Sequence, residues 1–195
     1  DYTLLFSILL LGIISIFAQF SSSGGVFDYY SKSHAIRFFI FFLLFFAISF
    51  TQIRFWNDSS IFIYLILLLL LIMVKFYGIQ SQGSKRWINL IVFNFQPSEL
   101  MKIGIILFLS NYYHRISSGD VNKLKYILIP LLALLAPCIL VFTQPDLGTA
   151  VLILLSGVVI AWLAGIRWKI FAYLSVAFIT LVPIGISFLK PYQKS

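Results

Sequence analysis

The chain has 195 residues, of which 61% are apolar and only 10% are charged, and its formal net charge is +8. Soluble domains carry about 25% charged residues, so this composition excludes a soluble enzyme or binding module and indicates a protein of the lipid bilayer. A single cysteine, Cys138, excludes a disulfide framework. His34 and His114 lie in different loops, so no pair of histidines has metal-ligand spacing.

The apolar segments predict an all-α polytopic membrane protein. A helix needs about 20 mostly apolar residues to cross the hydrocarbon core. No soluble domain remains, so residues 1–195 are predicted to form a single membrane domain. Seven segments fit this requirement: Tyr2–Phe20, Ala35–Ile53, Ser59–Phe76, Pro97–Tyr113, Tyr126–Phe142, Gly148–Ile166 and Trp168–Leu189.

Basic residues leave the orientation in the membrane open, although cytoplasmic loops are normally rich in Lys and Arg. One orientation gives the cytoplasm Arg54, Arg115, Lys123, Lys125, Arg167 and Lys169, and the other gives it Lys32, Arg37, Lys75, Lys85, Arg86, Lys190 and Lys194. The first orientation is favoured because loops 113–125 and 166–169 are short and dense in cations. The outer face then carries more cations than topology requires, which indicates an anionic ligand there.

The loop before the fourth span places Lys85 and Arg86 directly before Trp87. Arginine offers a planar fork suited to phosphate oxygens, lysine offers a mobile point charge, and tryptophan favours the lipid–water interface. The set suits a phosphate carried on a lipid. The alternative interpretation is an interfacial anchor that contacts ordinary headgroups.

The fourth span opens with Gln96-Pro97-Ser98-Glu99, and Lys102 follows Glu99 at i+3. Proline is favoured at the first helical position, so Pro97 predicts a helix start and puts Glu99 in the first turn, near free N–H groups. Two charges three residues apart share one helix face and can compensate each other. They either dock this helix against its neighbours or line a polar cavity open to the outside.

The same pattern returns as Gln144-Pro145-Asp146 before the sixth span, and it predicts a helix that begins at Pro145 with Asp146 in its first turn. Both Gln-Pro turns would then bring acids and amides to one face of the membrane. The alternative role for Asp146 is that of a simple helix cap. Further along this span, Gly157 and Gly165 predict close helix packing.

Three blocks, GSKRWINL, FQPSELMK and TQPDLGTAVLILLSGVVIAWLAG, resemble the signature blocks of the shape, elongation, division and sporulation (SEDS) family of bacterial membrane proteins. The first two blocks favour its rod-shape branch. The resemblance implies ten membrane helices, of which this chain would hold seven as an N-terminal fragment. The closing FLKPYQKS resembles the entry to the family's large extracytoplasmic loop.

The resemblance also implies an activity, a location and partners. Such a protein would be a peptidoglycan glycosyltransferase that polymerises lipid II at the outer face of the bacterial cytoplasmic (inner) membrane, in cell elongation or division. It would work with a class B penicillin-binding protein transpeptidase and with no nucleic acid. The family's catalytic aspartate lies in the large loop, beyond Ser195 here, so this chain is expected to hold no catalytic residue and to be inactive alone.

Supporting residues carry over from the family pattern by position. Glu99 and Lys102 match a buried ion pair of the family. The resemblance implies that Gln96, Ser98, Gln144 and Asp146 support a cavity, and that Lys85 and Arg86 bind the substrate diphosphate. A divalent cation such as Mg²⁺ or Mn²⁺ could share the diphosphate charge, but the sequence offers no complete ligand set for one, and no metal-ligating residue is assigned.

Two other functions remain open from the residues: a flippase for lipid-linked precursors, and a non-catalytic scaffold for wall synthases. A flippase would show polar residues along the whole path across the membrane. Glu99, Lys102 and Asp146 instead fall within one or two turns of one membrane face, which favours the polymerase.

Overall fold

The computed structural model describes residues 2–81, 84–89 and 94–176. Within these ranges the chain forms seven helices in the predicted order, which confirms the all-α fold class. The first six are α1 (Tyr2–Ser22), α2 (Tyr29–Ser49), α3 (Ile53–Tyr77), α4 (Pro97–His114), α5 (Leu124–Phe142) and α6 (Leu147–Leu163). Residues 168–176 are helical and are called α7, and the remainder of the predicted seventh span, 177–189, lies outside the described residues.

Four of the described helices, α1, α2, α3 and α5, are long and apolar enough to cross a membrane by length and composition. Helix α6 is apolar but has only 17 residues. Helix α4 has 18 residues and is less apolar because polar residues occupy both of its ends. At 1.5 Å per residue, α4 is about 27 Å long, close to the ~30 Å of the hydrocarbon core.

The contacts divide the chain into two compact units, Asp1–Ile53 and Arg54–Ser195, where the sequence predicts one membrane domain. The first unit is a hairpin of α1 and α2. Helix α2 begins at Tyr29, earlier than the predicted Ala35, because the Asp28 carboxylate caps it by accepting a 2.8 Å hydrogen bond from the Ser31 N–H.

The second unit has a continuous apolar core. Leu71 of α3, Met101 and Ile105 of α4 and Ile153 of α6 are fully buried, and α4 packs against both α5 and α6. The Tyr64 hydroxyl of α3 donates a 2.8 Å hydrogen bond to the Ala133 carbonyl of α5. The four helices therefore form one packed group.

A small antiparallel sheet joins α3 to α4, in a stretch where the sequence predicts only a loop. Its strands are β1 (Ile79–Ser81), β2 (Ser84–Asn89) and β3 (Asn94–Phe95), in the order β1-β2-β3. Cα pairs such as Ile79 with Trp87 and Ile88 with Phe95 set the register. Strands β1 and β3 have only three and two residues, and the six residues of β2, SKRWIN, do not alternate apolar with polar side chains, so the period-2 pattern of a strand is absent from the sequence.

Candidate functional site

The candidate site lies at one end of the second unit, called here the site end, where α4 and α6 begin, α5 ends and the sheet lies. Both Gln-Pro turns meet there, because the Gln96 amide Nε2 donates a 3.0 Å hydrogen bond to Asp146 Oδ2. At the opposite end, the Asn111 amide of α4 donates to the Asn57 carbonyl of α3, and Asn122 donates to the Gly165 carbonyl. The two Gln-Pro turns are thus in contact, and the membrane face on which they lie stays a prediction.

Asp146 caps α6, and it also holds the two turns together. Its Oδ1 accepts a 3.3 Å hydrogen bond from the Thr149 N–H, while Oδ2 accepts from Gln96. The predicted position inside the first turn was wrong: α6 begins at Leu147, and Asp146 is the residue before it, because its carboxylate satisfies a free N–H of that turn. The Asp146 residue is only 9% exposed, so the carboxylate has little water around it.

Arg86 fastens β2 to the turn between α5 and α6. Its Nε donates a 3.1 Å hydrogen bond to the Gln144 carbonyl and its Nη2 donates to the Pro145 carbonyl. Its Nη1 lies 3.9 Å from Asp146 Oδ1. All three guanidinium nitrogens of Arg86 thus have partners within the protein. The role of Arg86 in binding the substrate diphosphate stays a prediction.

Lys85 differs from its neighbour Arg86. It lies on β2 with an exposed side chain, whereas the Arg86 side chain is 30% exposed. Within residues 2–81, 84–89 and 94–176, no side-chain hydrogen bond or ion pair of Lys85 is found. The Lys85 ammonium is therefore the cation of this loop that is open to an anionic ligand.

The Glu99–Lys102 ion pair forms as predicted, with Lys102 Nζ 2.9 Å from Glu99 Oε2. The burial implied by the family pattern is not found among the described residues: the Glu99 side chain is 54% exposed and that of Lys102 is 23% exposed. The reason is that this face of α4 is uncovered, since Leu100 and Ile103 on it are exposed as well. Among the described residues, Glu99 is therefore the more exposed member of the pair.

The remaining predicted residues, Gln144 and Ser98, are buried and hydrogen-bonded. Gln144 is 4% exposed, and its Nε2 donates a 3.1 Å hydrogen bond to the Leu71 carbonyl of α3. Ser98 is 2% exposed, and its hydroxyl accepts a 3.0 Å hydrogen bond from Gln96 Nε2. These bonds satisfy buried polar groups, and the Gln144 bond joins α3 to the α5–α6 turn.

The alternative role of Asp146 as a helix cap is confirmed, with the Thr149 N–H as the donor. Sequence reasoning missed the pair of backbone carbonyls, of Gln144 and Pro145, that receive Arg86. Every residue carries a carbonyl, so no sequence signal marks these acceptors.

The described residues contain no group of three or more His, Cys, Asp or Glu side chains that could hold a metal ion. Both oxygens of Asp146 already accept hydrogen bonds, and Glu99 is paired with Lys102. A divalent cation at this end would therefore need its ligands from the substrate or from outside the described ranges.

Apolar helices with polar, hydrogen-bonded turns collected at one end define a multi-pass membrane protein with a polar site at one end of its bundle. The chain belongs to the FtsW/RodA/SpoVE family of cell cycle proteins, whose family model matches residues 2–195. The SEDS resemblance of the sequence blocks is thereby confirmed.

The curated relatives include proteins named FtsW and MrdB. The chain is 30% identical to a probable peptidoglycan glycosyltransferase FtsW of Buchnera aphidicola, over 85% of this chain and 46% of the relative. It is 35% identical to the peptidoglycan glycosyltransferase MrdB of Escherichia coli, over 72% of this chain and 38% of the relative. The chain thus spans less than half of these relatives, and the preference for the rod-shape branch stays a prediction.

Solved structures share the fold. A peptidoglycan synthase complex described as coordinating polymerization and crosslinking contains a chain that matches 99% of this one, with a TM-score of 0.83 and 27% identity. The rod shape determining protein RodA of Thermus thermophilus matches 94% of this chain, with a TM-score of 0.76 and 25% identity. This chain covers 56% and 59% of those two chains, respectively.

Proposed function

We propose that the natural protein is a peptidoglycan glycosyltransferase that polymerises lipid II, and that this chain supplies part of its binding site for the sugar–diphosphate headgroup. The proposal rests on a network around Asp146 of the second Gln-Pro turn. Gln96 of the first turn donates a hydrogen bond to its carboxylate, and Arg86 of β2 forms an ion pair with it. Beside it lie the exposed Lys85 and the Glu99–Lys102 pair. The named activity of the curated relatives supports the assignment.

In the proposed reaction, a sugar hydroxyl of one substrate attacks the anomeric carbon of the other. The bond from that carbon to a diphosphate oxygen breaks, the hydroxyl proton is lost, and negative charge grows on the leaving diphosphate. Preorganised cations near that charge stabilise the transition state. Lys85 and Lys102 are the cations proposed for this task, and Glu99 fixes the Lys102 ammonium in place. No acid of the described residues is assigned the proton transfer.

The middle of the helix group argues against the flippase. Between the two ends, α3 and α4 meet through apolar side chains, among them Leu67, Leu71, Ile105 and Leu109, which are all buried. In the described residues no charged side chain lies between these helices at mid-depth, and the Tyr64 hydroxyl there is already bonded to the Ala133 carbonyl. A headgroup crossing along this seam would find no free polar partner among these residues. A site confined to one end suits a reaction on one side of the membrane.

The proposal extends to location and partners. The site end would face outward from the bacterial cytoplasmic membrane, and a class B penicillin-binding protein would supply crosslinking. A solved relative of the same fold belongs to a synthase complex that joins these two activities, which supports the partner. A divalent cation bound to the diphosphate is a further part of the proposal, and loss of glycan synthesis with a chelator, restored by Mg²⁺ or Mn²⁺, would test it.

The test is polymerisation of purified lipid II by the natural full-length protein. Glu99→Ala frees Lys102 from its partner and is expected to abolish glycan synthesis, because the cation is then no longer held beside the diphosphate. The reversed pair, Glu99→Lys with Lys102→Glu, keeps the ion pair at the same i+3 spacing and is expected to restore part of the activity.

The matched control is Arg54→Ala with Asp58→Ala, which removes an exposed i,i+4 ion pair of α3 at the opposite end. Glycan gels should show normal product for this control. Full activity in the single Glu99→Ala protein would overturn the assignment of this end of the bundle.

A further inference from the structure

We propose a second binding site, for one anionic phospholipid, at the opposite end of the second unit, in a groove between α5 and α7. It is separate from the headgroup site proposed above. The site combines an apolar groove with a basic mouth, and it needs no residue of the Gln-Pro turns.

The groove has a volume of about 460 Å³. This falls in the range of about 300–1,000 Å³ typical of small-molecule sites. Four of its apolar residues, Leu124, Ile127, Leu128 and Leu131, come from the first two turns of α5, and α7 adds Ile170 and Leu174 across from them. Such a lining suits an acyl chain.

The polar end of the groove lies at the starts of α5 and α7, where the chain is rich in cations. Asn122 lines it, and the Asn122 Oδ1 accepts a 2.9 Å hydrogen bond from the Arg167 N–H, which places the start of α7 beside the start of α5. Lys123, Lys125 and Lys169 are neighbours in sequence of lining residues, and all three side chains are exposed.

One acidic residue, Asp120, lies near these four cations. Asp120 lies 2.6 Å from Lys123, and its carboxylate also attracts Lys125. Lys125 Nζ lies 5.0 Å from the centre of the Tyr126 ring. Four cations and one acid leave three net positive charges at this end, and Lys125, Arg167 and Lys169 are the cations proposed to form a basic mouth.

An anionic phospholipid satisfies both parts of this site at once. Its phosphate would lie among the three cations and its acyl chain along the groove. Basic pockets between membrane helices are a recognised way of binding anionic headgroups. An apolar helix from elsewhere in the protein would fill the groove but would leave the cations without a partner, so charge complementarity favours the lipid.

The experiment is native mass spectrometry of the natural full-length protein, titrated in detergent with phosphatidylglycerol or phosphatidylcholine of equal chain length. The wild type should bind one phosphatidylglycerol about tenfold more tightly than phosphatidylcholine, and Lys125→Gln with Lys169→Gln should reduce the preference to about twofold. Arg54→Gln with Lys75→Gln removes two cations outside the groove and should leave the preference intact.

A second pair of variants tests the groove itself. Leu128 lines it and Ile129 does not, yet the two residues are 51% and 50% exposed, so a tryptophan at either position is tolerated by the fold. Leu128→Trp should weaken phosphatidylglycerol binding about tenfold by filling the groove, and Ile129→Trp should leave it unchanged.

Equal binding of the two lipids by the wild type would overturn the proposal. So would equal effects of the two tryptophan variants. Absence of any retained lipid, the result expected if a helix or a partner protein fills the groove, would overturn it as well.

Discussion

At the scale of single residues, two adjacent cations have different roles because they lie on a strand. Successive side chains of a β-strand point to opposite faces. Arg86 points to the α5–α6 turn, where it meets the carbonyls of Gln144 and Pro145, and Lys85 is left exposed. A pair of cations that looks equivalent in sequence is thus divided into a structural residue and a candidate ligand-binding residue.

This division predicts opposite phenotypes for Lys85→Ala and Arg86→Ala in the natural full-length protein. Arg86→Ala removes hydrogen bonds of a charged group and should lower the free energy of unfolding by about 2 kcal/mol. Lys85→Ala should leave the melting temperature unchanged and weaken lipid II binding about tenfold, the loss of ~1.4 kcal/mol.

Thermal unfolding in detergent and a lipid II binding titration, run on both variants, check the prediction. Arg54→Ala removes an exposed cation of the opposite end and serves as the reference for nonspecific charge effects. A melting temperature that falls with Lys85→Ala but not with Arg86→Ala would reverse the assigned roles.

At the scale of helices, α5 and α6 pack closely because Gly157 has no side chain. A Cβ at Gly157 would overlap the Leu134 side chain of α5, which is 7% exposed and has little room to move. The predicted packing role is confirmed for Gly157. Gly165 behaves differently: it follows α6 with a φ of +93°, a left-handed turn conformation that glycine adopts readily.

Gly157→Val should therefore lower the free energy of unfolding by roughly 1–3 kcal/mol, since it overpacks the α5–α6 contact. Gly148→Ala in the first turn of α6 is the matched control, because a Cβ there meets no atom within 4 Å. Thermal unfolding should show a loss for the first variant and none for the second. A tolerated valine would mean that α5 and α6 separate without cost.

The cap of α2 predicts a dependence on pH. The Ser31 N–H hydrogen bond holds the pKa of the Asp28 carboxyl below its usual value of 3.8. A carboxyl with a lowered folded pKa stabilises the fold above its unfolded pKa, and the contribution is lost as the pH falls through the folded value. The wild type should therefore lose thermal stability below pH 3.8 through this group.

Asp28→Asn keeps an effective cap that does not titrate and should remove this part of the acid sensitivity. Melting curves of both proteins between pH 7 and pH 2.5 test the difference. An identical acid response in the two proteins would show that Asp28 contributes nothing to it.

At the scale of the whole molecule, the sequence was informative where the physics is local. Hydropathy over 17–25 residues located the helices, and Pro97 marked the start of α4 to the residue. The sequence was less informative about contacts between elements. The short sheet pairs residues that are close in sequence but carry no alternating pattern. The inward contacts of Arg86 reach residues 58 and 59 positions along the chain, and the exposure of Glu99 depends on what packs against α4, so no local pattern encodes them.

The family assignment accounts for which parts of the site were predicted. The Gln-Pro blocks drew attention to Gln96 and Asp146 before their contact was known, and the structure joins them at 3.0 Å. Both residues connect parts of the site, whereas the exposed Lys85 and the partly exposed Lys102 carry its proposed chemistry. The central claim is that lipid II binds at the site end through these cations.

Photocrosslinking tests that claim most directly. A benzophenone amino acid replaces Lys85 in the natural full-length protein, and the same group replaces the exposed Arg54 at the opposite end as the control. After irradiation with lipid II, we expect a lipid-linked product from position 85 and none from position 54. Capture from position 54 alone, or from neither position, would contradict the account.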